Sequence, residues 1–242
     1  MGAIAGSGDY REWKAWDANL FGQLKPESRR YLEAELQTSG IRLSGESAVL
    51  EIGFGNGDFA TFCRETGCTY TGTEIDPELV DRAKAAGLDA HLAPDDLTSA
   101  FAGRNFDLIT CFDVLEHLSQ EQIKTMLTAF HALLAPNGRI LARFPSGDSP
   151  FSVAMYNGDI THRSWIGRGA VLQYCVATGL EAKQIRHPTL PLRGLGLKRM
   201  LRRTPIAVAR WVVRKFVRTV FYDGQPRVVD PNMVIVLGKR AA

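Results

Sequence analysis

Residues 49–59 read Val-Leu-Glu-Ile-Gly-Phe-Gly-Asn-Gly-Asp-Phe, and this stretch decides the fold. The short apolar run Ala48, Val49, Leu50 and Ile52 has the length and composition of a buried parallel strand. It breaks into Gly53, Gly55 and Gly57, then enters an apolar, helix-like stretch from Phe59. Alternate glycines let the chain turn sharply and let a ligand approach the backbone with no Cβ in the way. The helix that follows aims free N–H groups and its positive end at the same spot. The stretch predicts a small-molecule cradle at the carboxyl end of the first strand of an α/β fold.

The spacing narrows the ligand. A dinucleotide fingerprint needs Gly-x-Gly-x-x-Gly. Its third glycine would fall at position 58, where the chain has Asp58. The stretch is instead Gly-x-Gly-x-Gly, preceded by Glu51. A carboxylate there accepts hydrogen bonds from an ammonium group and does not suit a phosphate. The pattern resembles motif I of the class I S-adenosylmethionine (SAM) methyltransferases. That resemblance implies a Rossmann-like sandwich, a seven-stranded and mostly parallel sheet with helices on both faces. It also implies that Glu51, Gly53, Gly55 and Gly57 hold the cofactor.

Three later segments follow in the order the resemblance demands. Residues 69–74 read as a second strand ending in Glu74. In nucleoside-binding α/β folds an acid about 20 residues beyond the glycine loop bonds the ribose hydroxyls. Glu74, with Ile75 beside it, resembles that acid. Asp76 competes, but it precedes Pro77 and reads better as a helix N-cap. A short third strand near 89–93 leads into Pro94-Asp95-Asp96-Leu97. The family places an acid here for the adenine amino group; Asp96-Leu97 matches best and Asp95 is the second candidate. Helix capping by Asp95 is the plain alternative.

A fourth strand, 106–111, runs into Phe112-Asp113-Val114-Leu115-Glu116-His117-Leu118. This closely resembles the ubiquinone-methyltransferase-like branch of the family. The resemblance implies that Cys111, Phe112 and the residues after them line the methionine end of SAM and the acceptor pocket. Ile123, Leu127, Phe130 and Leu134 then share one face of a helix. Pro136-Asn137-Gly138 predicts its end, and 139–144 predict a fifth strand. The resemblance covers roughly 46–187. Residues 1–45 are expected to form a helical lid, with Tyr10, Trp13 and Trp16 as acceptor contacts. Residues 46–242 form the cofactor domain, with a basic amphipathic insertion at 188–224.

Composition bounds the rest. The chain has 242 residues, a length that one α/β core fills, and a net charge of +3, which excludes little. Cys63, Cys68, Cys111 and Cys175 show no paired spacing and read as reduced thiols of a cytoplasmic protein. The first residues lack a basic region and an apolar core, so no signal peptide is expected. No run of 18 apolar residues predicts a spanning helix.

The catalytic candidates are histidines. His117 or His162 suits a general base, because imidazole titrates near neutral pH. Asp113, Glu116, His117 and the distant His162 also resemble a four-ligand set for a divalent metal in some ubiquinone-type and small-RNA 2′-O-methyltransferases. Such an ion would lower an acceptor hydroxyl's pKa. Here Asp113 stands where the pattern has Glu. The plain alternative is a metal-free helix entry.

Residues 194–222 hold eight Lys or Arg and no acid, interleaved with apolar residues including Trp211, Phe216 and Phe221. From Pro205 the period is helical, with Arg210, Arg214 and Arg218 four apart. Three readings stay open: an anionic membrane surface, a core-packing or oligomer-contact helix with a solvated basic face, and, less favoured by the alternating aliphatics, nucleic acid. Neither Asn-Pro-Pro-Tyr nor Pro-Cys follows the fourth strand, which argues against amino and cytosine C5 methylation. The expected reaction is O-methylation of a small or lipid-linked acceptor, a glycan precursor or a quinone-like molecule. The alternatives are a binding module that lost catalysis, a nucleic-acid 2′-O-methyltransferase, and an oxidoreductase disfavoured by the glycine spacing.

Overall fold

The computed structural model describes residue 14, residues 20–191 and residues 196–240. Tyr10, Trp13 and Trp16 lie outside the described residues. The strands are β1 (Ala48–Ile52), β2 (Thr69–Glu74), β3 (Ala90–Leu92), β4 (Phe106–Phe112), β5 (Leu134–Pro145), β6 (Leu180–Arg186) and β7 (Asn232–Lys239). Among the described residues they form one seven-stranded sheet in the order β3-β2-β1-β4-β5-β7-β6. The pairs β1/β2, β1/β4, β2/β3 and β4/β5 are parallel, while β7 runs antiparallel to both β5 and β6.

Period-two alternation splits the strands between two cores. Leu50, Ile52, Ile109, Cys111, Ile140 and Ala142 face one cluster. There they meet Ile123, Leu127 and Phe130 of α5 (Gln120–Leu133) and Val171 and Cys175 of α7 (Arg168–Thr178). Val49, Tyr70, Leu108 and Leu141 face the other. That side is covered by Leu32 and Leu36 of α1 (Pro26–Thr38) and Phe59 and Cys63 of α2 (Asp58–Thr66). The remaining helices are α3 (Pro77–Ala85), α4 (Leu97–Ala100), α6 (Val153–Asn157) and α8 (Leu197–Tyr222).

Two boundaries differ from expectation. The fifth strand starts at Leu134, directly after α5, and runs through Pro136-Asn137-Gly138. Leu134 pairs with Phe106, and a Cβ at Gly138 would come within 2.8 Å of the Phe106 carbonyl. That glycine lets the strands close up where a turn was expected. The basic helix begins at Leu197, and Pro205 sits inside it. Pro205 offers no N–H to the Leu201 carbonyl.

The larger correction concerns which side of α8 faces inward. Val217 is buried, and Arg203, Ala207, Arg214 and Arg218 are half-buried. Arg203 donates to the Pro191 carbonyl (2.8 Å) and Arg218 to the Arg227 carbonyl (2.9 Å). Arg214 grips both oxygens of Asp230. Leu201, Val208, Trp211, Val212, Phe216, Val220 and Phe221 are exposed. The helix does not pack its apolar side on the sheet with a solvated basic face; it packs largely through arginines.

Both ends of this excursion join the sheet at one edge. Arg186, at the end of β6, pairs with Val234, and Asn232, at the start of β7, pairs with Pro145 at the end of β5. This is the carboxyl edge of the parallel strands, which also carries the glycine loop.

Candidate active site

The glycine loop between β1 and α2 is built from positive φ angles: 71° at Gly53, 52° at Gly55 and 78° at Gly57. A Cβ at Gly53 would come within 2.6 Å of Val114, and one at Gly57 within 2.9 Å of the Phe21 ring. The N-terminal segment rests on this loop. Gly22 N–H donates to the Asn56 carbonyl (2.8 Å), and Thr61 Oγ1 donates to the Gly22 carbonyl (2.9 Å).

Two buried carboxylates frame the loop. Glu74, at the tip of β2, accepts from Gly55 N–H (3.0 Å) and Ile75 N–H (2.6 Å). Burial pushes its pKa up, and those backbone donors pull the other way. Glu51 accepts from the Tyr70 hydroxyl (2.7 Å). Burial pushes it up to about 8, the Tyr70 hydrogen bond opposes the rise, and Glu74 and Asp58 add to it. Such carboxyls charge at a cost, which a cation seated beside them offsets.

The other cofactor candidates separate by position. Asp76 caps α3, accepting from Glu78 N–H (2.9 Å), as its place before Pro77 predicts. Asp96, not Asp95, caps α4; it accepts from Thr98 N–H (2.9 Å) and Ser99 Oγ (2.5 Å). Ile75 is 75% exposed beside Glu74, whereas Leu97 is buried. The Cys111 side chain is wholly buried in the core, so the expected cofactor contact there would fall to its main chain. Phe112 lies half-buried, edge-on to Phe59.

Asp113 is drawn away from the proposed metal set. It sits at φ 55°, where the short polar side chain tolerates a left-handed turn. Its carboxylate is bound by the Arg143 guanidinium on the neighbouring strand. Of the four proposed ligands, the structure brings together three. One donor atom each from Glu116, His117 and His162 lies within 4.8 Å of the others.

Hydrogen bonds orient both imidazoles. Thr161 Oγ1 donates its only proton to Asp159 Oδ1 (2.5 Å), so it accepts from His117 Nδ1 (2.8 Å). His162 Nδ1 donates to the Tyr156 carbonyl (2.9 Å). In its neutral form each ring would therefore carry hydrogen on Nδ1 and present Nε2 as the acceptor. The rings are 4.7 Å apart, and His162 Nε2 is 4.0 Å from Glu116 Oε1. Burial, then the neighbouring His162, lowers the His117 pKa. Burial pushes Glu116 to about 8, and Asp113 adds to the rise. Its Oε2 is buried without a hydrogen-bond partner. Tyr156 stacks on Trp165 at 4.0 Å beside the pair, and Lys14 reaches Asp159 at 3.8 Å.

A family model described as a methyltransferase domain matches residues 18–187. The chain belongs to this family. As a member of it, the chain is a methyltransferase-family protein with the class I fold. A ubiquinone biosynthesis O-methyltransferase of Xanthomonas axonopodis pv. citri is 28% identical over 160 residues, 61% of this chain and 63% of that protein. The chain thus matches somewhat under two thirds of that relative's length. A SAM-dependent methyltransferase from Archaeoglobus fulgidus shares the fold, with a TM-score of 0.63 at 16% identity, covering 98% of this chain and all of that one. The [4+2]-cyclase SpnF shares it too, with a TM-score of 0.58 at 15% identity and coverage of 89% and 82%.

Sequence reasoning missed the supports of this site. Arg143 meets Asp113 only because β4 and β5 align Phe112 with Arg143, a register no local motif announces. Asp159 and Thr161 orient His117 from 44 residues away in sequence. The only signal was the turn-forming run Asn157-Gly158-Asp159.

Proposed function

We propose that this methyltransferase methylates a hydroxyl oxygen of a small or lipid-linked acceptor, a quinone-like phenol foremost. The observation that carries the reading is the pair of imidazoles, both turned by Nδ1 hydrogen bonds to present Nε2. The named activity of the Xanthomonas relative supports it.

SAM, when bound, supplies an already activated sulfonium methyl. The residues of the carboxyl edge fit it. Glu51 accepts from its ammonium, which lowers the cost of charging a buried carboxyl. Glu74 would hold the ribose hydroxyls, Ile75 would offer its exposed apolar surface to the adenine, and Asp96 with Leu97 would hold the adenine edge. His117 stays neutral at physiological pH and takes the acceptor's hydroxyl proton on Nε2; His162 is the alternative base. Alignment of the oxygen supplies much of the remaining rate.

A divalent ion fits the same cluster. Glu116 Oε2 is unpartnered, and both Nε2 atoms are basic, oriented by second groups as metal-bound histidines are. Glu116, His117 and His162 would hold it, with Asp113 outside the set. Its contribution there would be Lewis acidity toward the acceptor oxygen.

A fold shared with a cyclase keeps a second reading in play, a module that binds without methylating. One assay separates them: methyl-labelled SAM with a panel of catechols and phenols, with and without EDTA. We expect label in an aryl ether, and a fall of about 10²–10⁴ in kcat for His117→Ala with SAM affinity retained. Bound SAM with no labelled product in any arm would favour the module. EDTA-sensitive turnover restored by Mg²⁺, Mn²⁺ or Zn²⁺ would assign the metal.

A further inference from the structure

α8 spans roughly 39 Å at 1.5 Å per residue. Its exposed side carries Leu201, Val208, Val212, Phe216 and Val220, with Trp211 60% exposed at one flank. Contiguous exposed apolar surface of this kind marks an interaction site. Because the inward contacts are made largely by arginines, no rearrangement within the fold is needed to present it.

The charge on the helix selects the occupant. Residues 194–222 contain no Asp or Glu. Lys198, Arg202 and Lys215 are exposed on or beside the apolar side. A second copy docking by two-fold symmetry would set this face against itself. It would then bring both sets of cations together with no acid on the helix to pair them. An anionic surface meets them favourably instead. No helix among the described residues is long and apolar enough to cross a membrane, so the helix would lie along a bilayer, as basic amphipathic helices with aromatic residues do.

A groove of about 300 Å³ borders the apolar side. Trp211, Lys215 and Thr219 line it at successive four-residue steps, with Arg214 and Arg218 behind them. Lys215 Nζ lies 5.6 Å from the Trp211 ring centroid. Asp230 takes up the Arg214 charge, which leaves Lys215 and Arg218 as the pocket's cations; with the indole at its rim they have the chemistry of a phosphate-diester headgroup site.

We propose that α8 is an interfacial anchor, laying its outward apolar side into an anionic phospholipid surface with a lipid phosphate in the flanking basic groove. The anchor is tied to the site. The Tyr222 hydroxyl donates to the Asp148 carbonyl (3.0 Å). Ser146 and Ser149 hydroxyls donate to the Val228 and Val229 carbonyls (2.7 and 2.5 Å). These bonds join the segment after α8 to the loop that leads to Asp159 and His162. Seating α8 on lipid therefore holds the carboxyl edge next to the bilayer, whichever acceptor the enzyme uses.

The test is co-sedimentation of the full chain with vesicles of equal phosphatidylglycerol and phosphatidylcholine, against phosphatidylcholine alone, at low and high salt. Binding is expected to the anionic vesicles and to weaken with salt. Val212→Glu/Phe216→Glu should lower it by at least about tenfold. Lys198→Gln/Lys215→Gln should lower it by about fivefold per cation removed. All four side chains are exposed, and circular dichroism with a thermal melt checks that each variant folds. Equal binding to both vesicles, no binding to either, or an undiminished Val212→Glu/Phe216→Glu variant would overturn the proposal. So would a dimer in analytical ultracentrifugation that this variant dissolves, with no vesicle binding by the parent chain.

Discussion

Helices α5 and α8 are built from the same ingredients and are oriented oppositely. α5 turns Ile123, Leu127 and Phe130 onto the sheet and leaves its polar side to water. α8 holds the protein through Arg203, Arg214 and Arg218 and leaves Val212, Phe216 and Val220 outside. A helical period reveals that two faces exist; it does not say which one the fold covers. That choice is made by partners distant in sequence: apolar strand residues under α5, and Asp230 with main-chain carbonyls under α8.

The contrast is open to direct attack. Phe130 is fully buried, so Phe130→Ala should cost about 3–5 kcal/mol in urea unfolding. A loss below 1 kcal/mol, on the same order-of-magnitude scale, would mean that α5 is not a core helix. Arg214→Ala leaves the largely buried Asp230 carboxylate without its partner and should cost about 1–3 kcal/mol. No measurable loss would remove the claim that arginines dock α8.

Glu51 tests a different kind of inward polar group, one proposed to serve a ligand rather than packing. Its folded pKa of about 8 lies above its ordinary 4.5, so the folded chain keeps a proton that the unfolded chain has lost. Stability should therefore fall as pH climbs from about 4.5 through 8. Glu51→Gln should flatten that decline while weakening SAM about tenfold, roughly 1.4 kcal/mol, read by chemical denaturation and calorimetry. An unchanged SAM affinity would return Glu51 to a structural role. The smallest effect is expected at Phe216→Ala, within about 0.5 kcal/mol of the parent. A core-sized loss there would show that the outward side of α8 is covered after all.

The glycine loop and Glu74 at the tip of β2 were legible because each rests on local chemistry. Positive φ demands glycine, and a parallel strand leads into a helix N-terminus. Asp76 was legible for the same reason, since Asp-Pro announces a cap. What stayed hidden depended on register or on long loops. Asp113 was placed among metal ligands because its spacing fits, yet Arg143, which stands opposite the preceding Phe112 on β5, claims it. Cys111 was placed at the cofactor by the resemblance alone, and the alternation of its strand, which turns the side chain into the core, was not weighed. The support of His117 by Thr161 and Asp159 crosses the whole α5–β5 unit, and nothing in either segment names the other.

The excursion that carries α8 leaves β6 and returns into β7 at one edge, and those two strands are neighbours in the sheet. Its length is therefore free of any constraint from strand order. A longer, shorter or different helix can be spliced between 196 and 224 while Val228 and Val229 keep the Ser146 and Ser149 loop, and with it the histidines, in place. In evolutionary terms, this edge is a socket: delivery of the acceptor can change by exchanging one continuous piece of gene, while the chemistry is inherited intact.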